Sequence, residues 1–152
     1  MTPFSHIYLS PHADDALFSC GGHIWQTVQQ GQRVLVVTLF SASPPAEGSF
    51  SPFAQTLHTR WHVPGDMAAA RRQEEDRAAL NRLGARLIHW PYLDCIYRQS
   101  KDTFLYPDEA ALWATPHPLE EPLIAELATR IAALPLASTG TLYSPLGAGQ
   151  HV

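Results

Sequence analysis

The sequence predicts an α/β fold with a mainly parallel sheet, and three observations support this fold class. Residues 4–10 and 33–40 are apolar runs, and the second, RVLVVTLF, is almost continuously β-branched and aliphatic. Such a run is typical of a central parallel strand that is covered on both faces. A segment with helical periodicity lies between the two runs. Strand and helix patterns then alternate along the rest of the chain, which predicts βαβ units with right-handed crossovers.

The first two helices are predicted from apolar periodicity and from residues that begin or end helices. The first begins at Asp15 and ends at Gly31. Its apolar face contains Leu17, Cys20, Ile24 and Val28. Asp66 offers an N-cap for a second helix that continues to Leu83, and Gly84 closes this helix.

Two short strands, one more helix and two long loops complete the predicted fold. The third and fourth strands are predicted at 86–90 and 139–144. A helix stopped by Pro135 precedes the fourth strand, and its apolar residues are Leu123, Ile124, Leu127, Ile131 and Leu134. Residues 41–64 are predicted to form a loop with one turn of helix, and residues 91–118 are irregular. Long loops in compact domains often serve function.

The expected sheet order is 3-2-1-4, with helices on both faces, which is a Rossmann-like arrangement. The topological switch then lies between strands one and four, and ligands of open α/β sheets bind at such a switch. The loops SPHADD and PLGAGQHV meet there. The first carries His12, Asp14 and Asp15, and the second carries His151. We therefore expect the functional site at this junction.

Composition limits the classes of protein to be considered. With 152 residues, 45% of them apolar and 16% charged, the chain is expected to form a single domain, residues 1–152. A net charge of −4 gives no basic surface for nucleic acid. Neither a membrane span nor a secretory signal is visible in the sequence, and two cysteines do not make a disulfide framework. A cytoplasmic protein is expected, and a homo-oligomer is compatible with the sequence.

The tetrapeptide HADD permits two interpretations. One is a surface turn in which an Asp caps the following helix. The other is a hydrolytic metal site, because histidine and carboxylate ligands with an open position suit Zn²⁺. In the second interpretation one Asp faces the metal and its neighbour takes a proton from water. A histidine from the opposite loop, His151, could protonate the leaving amine or hold the developing oxyanion.

Four motifs, in order along the chain, carry a resemblance to a known family. HADDALFSCGG is similar to an H-P-D-D motif followed by a helix of small residues. A helical motif is matched by Arg72, Glu75, Ala79 and Leu83-Gly84. An aspartate after the third strand is matched by Asp94, and an H-x-D-H motif begins at His151. The chain thus resembles the LmbE-like or PIG-L deacetylases over essentially its whole length. These zinc-dependent enzymes remove N-acetyl groups from N-acetylglucosamine derivatives in thiol-cofactor, antibiotic and GPI-anchor pathways.

The resemblance implies a role for each matched residue. His12 and Asp15 would be metal ligands, and Asp14 would be the general base. His151 would act near the leaving group or the oxyanion. The substrate contacts would be Arg72 and Asp94.

The sequence also departs from the family pattern. Ala13 replaces the usual proline, and Ala16 replaces an acidic residue that is common after the Asp pair. The Asp and His expected after Val152, including the third protein ligand, would belong to a longer protein.

Several other polar and aromatic residues receive simpler interpretations. His58 and His62 have helical spacing without an acidic partner nearby in sequence, so a surface pair is expected. The charged residues from Arg71 to Arg77 are explained as a solvated helix face with ion pairs. The two long loops contain aromatic residues that suit a pocket for sugar rings: Phe50, Phe53, Trp61, Tyr92, Tyr97, Phe104 and Tyr106.

The leading hypothesis is a hydrolase dependent on Zn²⁺, or on another divalent metal, that removes an N-acetyl group from an N-acetylglucosamine-like compound or a related small amide. The alternative is a Rossmann-like module that binds a sugar or a nucleotide without catalysis. That alternative predicts a G-x-G-x-x-G fingerprint after the first strand, where the sequence has SPHADD. A third hypothesis is a folded but catalytically inactive domain.

Overall fold

A computed structural model describes residues 2–44 and 49–146 of the chain. The strands in these ranges are β1 (Phe4–Ser10), β2 (Val34–Thr38), β3 (Arg86–His89), β4 (Gln99–Ser100), β5 (Thr103–Phe104) and β6 (Leu136–Tyr143). The helices are α1 (Asp15–Gln29), α2 (Pro52–Trp61), α3 (Gly65–Leu83) and α4 (Glu121–Ala132). Within the same ranges, no helix combines the length and the apolar composition that a membrane crossing requires.

Four of the strands form a parallel sheet in the order β3-β2-β1-β6. Because β6 is the fourth strand predicted from the sequence, the predicted order 3-2-1-4 and the α/β class are confirmed. In the register, Tyr8 lies between Val36 on β2 and Tyr143 on β6. The two remaining strands, β4 and β5, form a small antiparallel hairpin that the sequence analysis did not predict.

Successive residues of β1 and β2 point to opposite faces of the sheet, and helices cover both faces. The first face packs on α1 and α3 through Tyr8, Ile24, Val34, Val36 and Leu80. The second face packs on α4 through Ile7, Leu35, Val37, Leu127 and Ile131. This two-sided burial explains why β2 has five fully apolar or β-branched residues and no alternation.

The loops that follow β2 and β3 pack on each other and form a third apolar core. We call residues 50–62 and 91–120 the rim. Its core includes Ala54, Cys95, Ile96, Tyr97, Tyr106 and Leu112. A buried ion pair closes the rim, since Arg98 Nη1 lies 2.6 and 2.7 Å from the two carboxylate oxygens of Glu120. The hydroxyl of Tyr106 donates to the same carboxylate at 2.6 Å.

The structure corrects two predictions about helices, the length of the first and the start of the second. The single turn expected within 41–64 is the ten-residue helix α2, and Ser51 Oγ caps it by accepting from the N–H of Ala54 at 3.0 Å. Helix α3 begins at Gly65, so Asp66 lies inside the helix and the prediction that Asp66 is its N-cap was wrong. Gly65 is needed at this start because a Cβ atom there would clash with the ring of His58.

Candidate active site

The first question at HADD is what caps helix α1. Asp14 is the N-cap residue, yet its side chain makes no capping hydrogen bond. Instead Ser10, at the end of β1, accepts from the N–H of Ala16 at 3.0 Å and donates to the carbonyl of His12 at 2.7 Å. Asp15 accepts from the N–H of His12, outside the helix, at 2.8 Å. The capping interpretation of the Asp pair is therefore wrong, and Ser10 performs that task.

The ring of His12 lies between two carboxylates. Its Nδ1 is 3.3 Å from Asp15 Oδ2, and its Nε2 is 3.4 Å from Asp94 Oδ2. Asp94 belongs to the loop after β3, where its other oxygen accepts from the N–H of Ile96 at 3.3 Å. The loops after β1 and β3 thus bring three predicted site residues together.

The pair formed by His12 and Asp15 fits a zinc ion. Two ligands at about 2.0–2.2 Å from a tetrahedral Zn²⁺ lie roughly 3.3–3.6 Å apart, and the His12–Asp15 distance of 3.3 Å agrees with this spacing. Metal-binding histidines usually direct the second ring nitrogen to a carboxylate, which Asp94 supplies. Among residues 2–44 and 49–146 no group of three His, Cys, Asp or Glu side chains is arranged to hold a metal. The assignment of His12 and Asp15 as metal ligands stays a prediction.

The two aspartates of HADD have opposite electrostatic surroundings. Partial burial raises the pKa of Asp14 above its ordinary value, although the Arg72 guanidinium opposes this shift. For Asp15, burial also raises the pKa, but the hydrogen bonds with the ring and backbone of His12 outweigh it, so the net pKa is lowered. The two neighbouring carboxylates therefore differ in their affinity for a proton.

The imidazole of His12 is affected in the same way by its neighbours. Burial by itself lowers the pKa of His12, but the hydrogen bond with Asp15 and the charge of Asp94 raise it above the ordinary value. The negative charge around this ring is the charge that a bound cation would neutralise.

Helix α3 supplies Arg72 and a residue that the sequence analysis missed. Arg72 Nη2 donates to the carbonyl of Ala13 at 3.0 Å and lies 3.5 Å from Asp14 Oδ1. Asp76, one helical turn later, is only 3% exposed, and its Oδ1 accepts from the N–H of Asp14 at 3.4 Å. The prediction that Asp76 is on a solvated face was wrong. The available signal was the four-residue spacing Ala68, Arg72, Asp76 and Leu80, which marks the inner face of α3.

A cavity lies between the HADD loop, α3 and the rim. Its walls include Ala13, Phe40, Trp61, Arg72, Asp94 and Tyr97. The predicted substrate contacts Arg72 and Asp94 therefore line one cavity, and their roles stay predictions. Of the aromatic residues proposed for a sugar pocket, Trp61 and Tyr97 line it. The other residues of that set are not among its walls. Tyr106, for example, is buried and donates a hydrogen bond to Glu120.

The structure also corrects the interpretation of His58. Its side chain is 7% exposed, and its Nε2 lies 2.7 Å from the hydroxyl of Tyr97, so it supports the cavity wall and does not belong to a surface pair. His62 is exposed, as expected. The missed signal is the aromatic neighbourhood, because His58 packs against Phe50 and Trp61.

A second cavity marks the predicted switch between β1 and β6. It is lined by Pro11 and Asp15 after β1 and by Tyr143, Ser144 and Pro145 after β6. The predicted junction therefore exists, and Asp15 faces it. His151, predicted to act from the second loop, lies outside the described residues.

The strand order and the helices on both faces define an α/β domain with a parallel sheet, and a family comparison makes the class specific. Residues 7–133 match the family described as PIG-L: GlcNAc-PI de-N-acetylase. The match covers well over half of the chain, so this chain belongs to the PIG-L family, as the sequence motifs predicted.

Individual relatives agree with this assignment. The chain is 29% identical over 150 residues to 2'-N-acetylparomamine deacetylase of Niallia circulans, covering 91% of this chain and 54% of that protein. It superimposes on a deacetylase–teicoplanin complex from teicoplanin biosynthesis with a TM-score of 0.80 at 31% identity, covering 96% of this chain and 59% of that one. For the zinc-inhibited form of teicoplanin deacetylase Orf2, the TM-score is 0.72 at 33% identity, with 84% and 50% covered. The chain spans about half the length of these relatives.

Proposed function

We propose that the protein hydrolyses the N-acetyl group of an N-acetylglucosamine-like substrate with the help of Zn²⁺ or another divalent ion. The observation that carries this proposal is the His12–Asp15 pair, 3.3 Å apart, next to an Asp14 carboxylate that does not cap the helix. In this reaction water adds to the amide carbonyl, the C–N bond breaks, and acetate and a free amine leave. We also propose that the protein acts in the cytoplasm.

Four polar residues are proposed to act directly in the reaction. His12 and Asp15 would hold the metal, which supplies a Lewis acid for the amide carbonyl and lowers the pKa of water to about 7. Asp14 Oδ accepts the proton of the attacking water, a task that its position beside His12 and Asp15 and the absence of a capping hydrogen bond from its side chain support. His151 is proposed to give a proton to the leaving amine or to hold the oxyanion.

A wider cavity of about 440 Å³, lined by Asp14, Trp61 and Arg72, lies beside the proposed base and supports a sugar substrate. Arg72 and Asp94 can hold hydroxyl groups by directional hydrogen bonds, and Trp61 and Tyr97 provide aromatic surface for a sugar ring. The family description names a GlcNAc-bearing substrate, and one relative is named for an N-acetyl substrate. These names support an N-acetyl amino sugar in preference to a peptide.

The test is acetate release from a panel of N-acetylglucosamine derivatives, with N-acetylated peptides as the comparison. We expect acetate from the sugars in the full-length protein, together with about one divalent metal ion per molecule by elemental analysis. The Asp14→Asn variant gives the background rate on the same panel. Cleavage of the peptides without cleavage of any sugar would contradict the substrate assignment, and metal-free activity would contradict the mechanism.

A further inference from the structure

Both polar groups of a single peptide unit are held from helix α3. The carbonyl of Ala13 accepts from Arg72 Nη2 at 3.0 Å, and the N–H of Asp14 donates to Asp76 Oδ1 at 3.4 Å. Ala13 and Asp14 share this peptide bond, while Arg72 and Asp76 are one helical turn apart. The helix thus fixes the orientation of the peptide plane immediately before Asp14.

The backbone of Asp14 needs such support. Its φ of +78° lies in the left-handed region, which favours glycine and is strained for other residues. A strained conformation of this kind persists only where the surrounding structure imposes it. Because the Cα of Asp14 directs its carboxylate, the peptide plane determines where the proposed base points.

Asp76 is itself held in place by the sheet. Its Oδ2 accepts from Thr38 Oγ1 on β2 at 3.0 Å and from His89 Nε2 on β3 at 2.9 Å. With the side chain only 3% exposed, the carboxylate depends on these partners for its stability. Two strands therefore orient one oxygen, which leaves the other oxygen directed at Asp14.

We propose that Asp76 is a positioning residue that holds Asp14 in its reactive orientation, with Thr38 and His89 fixing Asp76. This inference rests on the proposed function, in which Asp14 is the base. It assigns to a buried residue of α3 an effect on catalysis that is transmitted through one backbone N–H and requires no contact with substrate.

The kinetic test compares Asp76→Ala with Arg77→Ala, an exposed neighbour on the same helix, and measures kcat, KM and metal content. We expect Asp76→Ala to lower kcat by about ten- to hundredfold at little-changed KM and metal content, as misplacement of a reacting group does. In an Asp14→Asn background, Asp76→Ala should cause no further loss, because both changes act on the same group. Equal losses of kcat in the two backgrounds would overturn the proposal.

A second measurement does not depend on activity. Amide hydrogen exchange at Asp14, followed by NMR, should accelerate in Asp76→Ala and in the milder Thr38→Val, and should not change in Arg77→Ala. If Asp76→Ala does not fold, Thr38→Val provides both tests. If the wild-type protein releases no acetate, the proposed function fails while the exchange data still decide the role of Asp76; unchanged exchange in Thr38→Val and Asp76→Ala would refute it.

Discussion

The HADD loop and the rim border the same cavity, yet different forces hold them. The loop is held by single directional hydrogen bonds: Arg72 donates one, and Ser10 and Asp76 accept one each. The rim is held by an apolar core that surrounds a buried ion pair between Arg98 and Glu120. The carboxylate of Asp14, as the proposed base, must be placed to within a fraction of an ångström, which directional bonds achieve. A cavity wall needs volume and rigidity, which packing provides.

The largest effects are expected in the loop, where substitution of Asp14 and substitution of Asp15 should have different consequences. Asp15→Asn removes the proposed charged ligand and should lower metal content together with activity. Asp14→Asn should keep the metal and the fold but lower kcat by about 10²–10⁴-fold, because an amide cannot accept the proton of water. The measurements are metal content, melting temperature and kcat of both variants. A fully active Asp14→Asn enzyme would remove the base from the mechanism.

The rim should respond through stability. Glu120→Ala leaves the Arg98 guanidinium buried without its carboxylate, and loss of one partner of a buried pair costs about 3–5 kcal/mol of unfolding free energy. Urea unfolding measures this loss, with Glu109→Ala as the control at an exposed carboxylate nearby. If Glu120→Ala and Glu109→Ala were equally stable, the ion pair would not be what holds the rim.

The smallest expected effect concerns His58 and pH. Burial lowers the pKa of His58 below its ordinary value of 6.5. As the pH falls below 6.5, His58 becomes protonated in the unfolded chain but stays neutral in the folded protein. The free energy of unfolding therefore decreases. Above that pH the residue is neutral in both states and contributes no pH dependence.

The check compares the pH dependence of unfolding in two matched variants. His58→Gln should flatten the decrease below pH 6.5, whereas His62→Gln, four residues later and exposed, should not. An unaltered pH profile in His58→Gln would show that the rim does not depend on a neutral histidine.

Much of the fold could be predicted because buried strands have a clear pattern. The bounds of β1 agree at both ends, and the sheet order follows from the chain path. Helix α2 was harder, because proline and aromatic residues in 41–64 suggest a loop. Ser51 followed by Pro52 was the available signal, since serine caps a helix and proline fits its first turn.

The site was only partly predictable for a related reason. His12, Asp14 and Asp15 stand together in the sequence, so their chemistry could be inferred from spacing. Asp76 stands among charged residues of an exposed helix, and its burial depends on His89 and on a second strand that are distant in sequence. Contacts of this kind arise from tertiary packing and leave little trace in local composition.

Arg72 and Asp76 together hold the Ala13–Asp14 peptide, and we call this pair of hydrogen bonds the clamp. The clamp also explains which substitutions the HADD motif can tolerate. The clamp uses the carbonyl of residue 13 and the N–H of residue 14, and it makes no use of the N–H or the side chain of residue 13. Proline, which the related H-P-D-D motif has at this position, lacks the N–H and has a fixed φ, but it keeps the carbonyl that Arg72 binds. Alanine and proline are therefore interchangeable to the clamp, whereas proline at position 14 would remove the donor that Asp76 accepts from and would forbid the positive φ.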